Sequence, residues 1–266
     1  MRIAAIQGLW QRELLEGRRR WTALLLDLAF GAMNLVVFFF IARTVSTPSG
    51  ADLDGAPGYF AFAAVGIAVV IVLQSAAAQH VQRVRREQLS GTLEAMVAQP
   101  VTTGELALGL TGAGYLLAAV RAVLYLAFAV VALGLGVGQS DPIGVLVMVV
   151  LGVAAFVPIG IALLALALAV RFGEAMVRVL LVALIFLSGT YFPIDRLPAP
   201  LRDIATIIPT HVALAGLRHA LFRGGDWLAN AGWLVVAVAV LTPLSLLVFR
   251  SALGSLVRRA ELTAAG

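Results

Sequence analysis

The sequence predicts an all-α integral membrane protein with about six transmembrane helices. Of its 266 residues, 61% are hydrophobic and only 12% are charged, whereas a soluble domain carries roughly 25% charged residues. Several continuous apolar runs approach about 20 residues, the length that a helix needs to cross the hydrocarbon core. The runs are rich in Leu, Ala and Val and lack the alternating pattern of membrane β-strands, so we expect helices.

The apolar runs divide a single predicted transmembrane domain, residues 1–266, into spans and connections. Residues 1–20 hold five arginines, and their apolar residues recur at helical spacing. They predict an amphipathic helix at the membrane interface, with a frayed polar leader as the alternative. No small-residue cleavage site follows the first apolar run, which argues against a signal peptide. We place the six spans at about 21–45, 59–78, within 106–137, 143–170, 179–191 and 227–249.

Arginine placement predicts the orientation of these spans. With a cytoplasmic N-terminus, 13 arginines lie in cytoplasmic segments and 5 in external ones, and Arg121 lies within a span. This excess follows the positive-inside rule. We therefore expect a multi-pass protein of the cell's inner (plasma) membrane with both termini in the cytoplasm.

All 19 basic residues are arginine, and the chain contains no cysteine. A phosphate-binding P-loop needs its lysine, so this chain cannot contain that motif and any ATP hydrolysis must come from a partner. The three histidines do not form a His-Glu-x-x-His motif, and two of them are predicted on the opposite side from the third. We expect no metal site and no catalytic residue.

Two connections have the features of functional segments. Residues 83–98, between the second and third spans, predict a short amphipathic helix that passes motion into the membrane, with a charged loop on the headgroups as an equal alternative. Residues 193–226 contain several prolines, which break any long helix. Because the same stretch is amphipathic, we expect it to re-enter the membrane or pack at the interface, the alternative being a plain external loop.

Polar residues inside predicted spans indicate function by default. Asp27 and Arg121 are expected to pair with each other, or Arg121 to face a central cavity. Asn34, Gln74 and Ser75 could line a pathway, although such residues also hold neighbouring helices together. For the charged residues, too, a structural role is the simpler interpretation, because a buried charge needs a partner whatever the function.

Motifs in both functional segments resemble those of one known family. The first set is Arg86-Glu87, Gly91-Thr92-Leu93-Glu94, Pro100-Val101 and Gly104-Glu105. The second set is Ser188-Gly-Thr-Tyr-Phe-Pro-Ile194, Leu197-Pro198, Ile208-Pro209, Gly216-Leu217-Arg218 and Gly224-Gly225. Together with six spans and an amphipathic start, they make nearly the whole chain similar to the permeases of the ABC-2 transporter family.

The resemblance implies a mechanism and partners. The segment 83–98 would be the coupling helix that docks on a separate ATPase subunit, which binds ATP and Mg²⁺, so no cofactor is expected in this chain. The docking residues would be Arg85, Arg86, Glu87, Gly91, Thr92, Leu93 and Glu94. The outer segment would dip into the membrane as short helices, with Pro193, Pro198, Pro209, Gly216 and Arg218 as its signature. Such permeases work in pairs, which implies a homodimer or a heterodimer with a similar permease.

The function that follows is ATP-driven export of a drug, a lipid or a similar amphipathic molecule by alternating access. The alternative is a secondary transporter driven by an ion gradient, for which we see no inverted repeat. A third hypothesis is a membrane scaffold or sensor subunit. Nothing in the sequence identifies the substrate itself.

Overall fold

The molecule is a bundle of apolar helices, and the computed structural model describes residues 21–44, 53–89, 102–170 and 172–264. Within these ranges every regular element is helical, which confirms the all-α prediction. The predicted interface helix, residues 1–20, lies outside the described residues. The helices are α1 Trp21–Thr44, α2 Tyr59–Gly66, α3 Val72–Leu89, α4 Thr103–Leu133, α5 Pro142–Ala169, α6 Gly173–Leu187, α7 Ala199–Ile207, α8 Pro209–Phe222 and α9 Leu228–Ala264.

Five helical segments of the described chain are long and apolar enough to cross a membrane. They are Leu25–Thr44, Tyr59–Gln82, Thr103–Leu133, Pro142–Ala169 and Leu228–Ser255. The helices α7 and α8 together would supply a sixth, but they are bent by 73° at Ile208. Several long apolar helices in one chain indicate a multi-pass membrane protein, as the composition predicts.

The second predicted span is a single rod that continues well beyond its predicted end. A π-helical segment, Ile67–Ile71, joins α2 to α3, and α3 extends to Leu89 instead of stopping near residue 78. This rod forms the centre of the bundle, where α3 packs against α4 and α5. His80, expected in the connection after this span, is a buried residue of α3 whose ring lies beside Tyr115.

The fifth predicted span is displaced and shorter than a typical transmembrane helix. We expected helix over 179–191, but α6 covers Gly173–Leu187 and the chain then turns. At 1.5 Å per residue, this helix is roughly 22 Å long, less than the core thickness of about 30 Å. The last helix is longer than predicted, because α9 continues beyond the predicted end near residue 249 to Ala264.

Local signals determine where the central helices begin and end. A capping box starts α4, since the Thr102 hydroxyl accepts from the Glu105 N–H and the Glu105 carboxylate accepts from the Thr102 N–H. Asp141, at the end of the connection before α5, caps that helix by accepting from the Ile143 N–H at 3.0 Å. The Gly144 N–H and the Trp227 indole, both donating to this carboxylate, hold the pKa of Asp141 below its ordinary value.

Candidate functional site

The two charged residues predicted inside the membrane form an ion pair. Arg121 Nη1 on α4 lies 2.6 Å from Asp27 Oδ2 on α1. The Tyr125 hydroxyl, one turn along α4, donates to the backbone carbonyl of Asp27 at 2.9 Å. Gly31 permits this approach, because a β-carbon there would collide with the Tyr125 ring. The pair therefore joins α1 to α4, which is the structural role that the sequence favours.

A cavity of about 130 Å³ lies beside this ion pair, between α1, the π-helical segment, α3 and α4. Four of the five polar residues singled out in the sequence line it: Asp27, Asn34, Ser75 and Arg121. Asn34 Oδ1 is buried and lacks a hydrogen-bond partner within the described part of the chain. The cavity thus combines a charge-neutral ion pair with an unused amide acceptor.

Gln74, the fifth polar residue, is absent from the cavity lining. Its side-chain amide donates to the Leu181 carbonyl at 2.7 Å, and Gln74 is buried. Leu181 belongs to α6, so this hydrogen bond ties the central rod to the short helix. Gln74 holds helices together and does not face the cavity.

Arg218, predicted as part of the outer segment, is completely buried on α8. Its Nη1 lies 2.7 Å from Asp54 Oδ2, and its Nη2 donates to the carbonyls of Phe62 at 3.0 Å and Gly189 at 2.8 Å. Its guanidinium carbon also lies 3.6 Å from the centre of the Phe62 ring. One side chain therefore joins α8 to the loop before α2, to α2 itself and to the turn after α6.

The prolines of the outer segment shape its short helices. Pro193 precedes a single 3₁₀ turn, Ile194–Arg196, and Pro198 precedes α7. Pro209 is the first residue of α8, where the missing N–H costs nothing.

Gly216 lies on the face of α8 that packs against its neighbours. A β-carbon at this position would meet Met148 of α5 and Asn230 of α9. The predicted signature residues therefore build a bent helix pair whose second helix is embedded in the bundle.

The predicted docking segment is only partly described. Arg85 lies near the end of α3, and the backbone of Arg86 and Glu87 continues the same helix. Residues 83–89 of the predicted segment 83–98 therefore belong to α3. The predicted docking residues Gly91, Thr92, Leu93 and Glu94 lie outside the described residues.

Sequence reasoning missed the residues that complete these two sites. Asp54 is 164 positions from Arg218, and Phe62 is 156 positions away. The sequence feature that could have indicated a partner is Arg218 itself, because an arginine in an apolar helix requires a nearby carboxylate. Tyr125 was missed because a single tyrosine in an apolar span does not reveal its hydrogen-bond partner. The glycine that lets it approach α1, Gly31, lies far from it in the sequence.

Comparison with known protein families gives a match over most of the chain. A family model described as ABC-2 type transporter matches residues 4–222. No curated protein matches the chain. The matched range includes the ion pair, the cavity, the docking segment and the Arg218 contacts.

Proposed function

Because the chain belongs to the ABC-2 type transporter family, it is a membrane permease subunit, and we propose that it works in an ATP-driven exporter. The proposed substrate is an amphipathic or hydrophobic molecule such as a drug or a lipid. The family match over residues 4–222 carries this proposal. The chain has no lysine for a P-loop, so the energy comes from a separate ATPase subunit.

The continuous helix α3 supports coupling to such a subunit. Val81 and Val84 of this helix are buried in the bundle, and Arg85 follows them near the end of the helix. A helix moves as a stiff rod, so a force on the segment that follows Leu89 acts directly on the centre of the bundle. The proposed contact with the ATPase consists of Arg85, Arg86, Glu87, Gly91, Thr92, Leu93 and Glu94.

The outer side of the molecule supports a rigid-body motion. Through Arg218, the helix α8 is held to α2 and to the turn after α6. These parts move together when two permease units, identical or similar, switch from inward-open to outward-open. Both termini are cytoplasmic in this arrangement.

The test of the proposal is the variant Glu94→Arg in the complex with its ATPase. We expect normal insertion and assembly into the membrane but ATP hydrolysis that no longer drives transport, because reversing a charge at the contact disrupts the transmission of force. Transport into inverted vesicles and ATPase activity are measured together. Asp203→Arg, at an exposed position of α7 on the predicted outer side, is the matched control and keeps both activities.

Two results contradict different parts of the proposal. Normal transport by Glu94→Arg would show that the docking surface is assigned wrongly. A purified permease without an ATPase, whose transport follows a proton gradient and ignores vanadate, would replace the exporter with a secondary transporter.

A further inference from the structure

The cavity beside the Asp27–Arg121 pair opens on the exposed side of α1. Phe30, at its mouth, is 73% exposed, and the Asp27 side chain is 41% exposed. The opposite wall is formed by Ile67 and Val72, which are buried. In a membrane protein, an opening beside an exposed apolar helix can be reached from the lipid, so we expect a ligand to enter from the membrane.

The chemistry of the cavity excludes strongly charged ligands. Asp27 and Arg121 compensate each other at 2.6 Å, so a ligand with a net charge finds no free counter-charge. The Tyr125 hydroxyl is already engaged with the Asp27 carbonyl. Asn34 Oδ1 has no partner within the described chain, and a hydroxyl or N–H donor from a ligand would satisfy it. These groups favour a ligand that is uncharged or zwitterionic and has donors and acceptors.

The cavity volume and the surface beside it define the rest of the ligand. A cavity of about 130 Å³ suits a small headgroup. From Phe30 at the mouth toward the C-terminal end of α1, Phe30, Met33 and Val37 are exposed at intervals of three and four residues. Residues at this spacing form one helical face, along which an acyl chain can lie.

We propose that this cavity binds the small uncharged or zwitterionic headgroup of a membrane amphiphile, whose chain lies along α1. The inference rests on the proposed function, because it names the substrate class of that exporter. Asp27 lies two residues after Leu25, the first residue of the candidate span. With a cytoplasmic N-terminus, the amphiphile therefore enters from the inner leaflet.

Photocrosslinking to the purified permease in micelles tests the proposal without ATP. Three probes carry the same photoreactive acyl chain and differ in their headgroup, which is glycerol, a phosphate monoester or trimethylammonium. We expect the glycerol probe to label the peptide around Phe30 about tenfold more strongly than either charged probe, the ratio that a difference of about 1.4 kcal/mol produces.

Charge variants then change the preference in opposite directions. Asp27→Asn leaves Arg121 without its carboxylate and shifts labelling toward the phosphate probe. Arg121→Met leaves Asp27 without its guanidinium and shifts labelling toward trimethylammonium. Glu174→Gln removes the carboxylate of another ion pair, Glu174–Arg178 on α6, and leaves the order of the probes unchanged. Circular dichroism and gel filtration establish that each variant is folded.

The double variant Asp27→Asn/Arg121→Met keeps the test decisive if a single variant misfolds, because it removes both charges and should retain the glycerol preference. Equal labelling by the three probes in the native protein, or an order that no charge variant alters, would overturn the inference. If labelling follows the expected order but no ATPase subunit co-purifies with the permease from native membranes, the binding site stands and the ATP-driven exporter is rejected.

Discussion

At the residue scale, Arg218 shows what a charge requires inside an apolar bundle. Removing a guanidinium from water costs several kcal/mol, and a carboxylate, two carbonyls and an aromatic ring surround it here. The partners come from two separate stretches of the chain, residues 54–62 and the turn at Gly189. The residue therefore stabilises the tertiary arrangement only when all of these parts are in place together.

Replacing this residue should be far more costly than replacing an exposed arginine nearby. Arg218→Ala leaves Asp54 without its guanidinium partner and removes the donor to two carbonyls, so we expect a loss of about 3 kcal/mol or more. Arg202→Ala, at an exposed position of α7, should change stability by no more than about 0.5 kcal/mol. Thermal unfolding of both purified variants measures the difference, and similar melting temperatures would contradict the structural role of Arg218.

The sequence predicted Arg218 as part of the outer segment but not its partners. A motif records residues that are close in sequence, whereas Asp54 and Phe62 become neighbours only when the helices pack. The Asp27–Arg121 pair was predictable because both charges lie in apolar runs and each needs a partner. The cavity beside them depends on the packing angle of three helices, which no periodicity indicates.

At the element scale, the helices differ in how much of their surface is covered. The candidate span Tyr59–Gln82 is largely buried within the molecule, while hardly any residue of Leu25–Thr44 is fully buried. Both are apolar on all sides, as membrane helices are, so composition predicted both spans without predicting which one is central. The length of α3 also escaped prediction, because charged residues after residue 80 indicate the end of an apolar run and not the end of a helix.

Replacing two glycines in different helices by alanine should change the stability of the protein in opposite directions. At Gly66 of α2, a β-carbon would lie 2.5 Å from the backbone oxygen of Thr190, so Gly66→Ala forces α2 away from the turn after α6 and destabilises by about 1–3 kcal/mol. At Gly232 of α9, nothing lies within 4 Å, and Gly232→Ala should stabilise by about 0.5–1 kcal/mol.

Thermal unfolding of the two alanine variants checks this prediction. Wild-type stability for Gly66→Ala would show that α2 and the turn after α6 are not packed as closely as described.

At the scale of the whole molecule, the arginine bias predicts an orientation that can be measured directly. The chain lacks cysteine, so a single introduced thiol has no background. Gln139, between α4 and α5, and Phe172, between α5 and α6, are both exposed and are predicted on opposite sides of the membrane.

An impermeant maleimide should label Gln139→Cys in intact cells and Phe172→Cys only in inverted vesicles. The reverse pattern would place the N-terminus outside and remove the docking segment from the cytoplasm.

The π-helical segment Ile67–Ile71 constrains the whole of the central rod. Such a segment inserts an extra residue into a regular helix, and each residue of an α-helix turns the chain by about 100°. Deleting one residue there would restore regular winding but rotate one half of the rod against the other. The Phe62 carbonyl on one half and the Gln74 amide on the other are each held by a distant partner, so both could no longer be aligned at once. This single irregular turn thus sets the phase between the two ends of the rod.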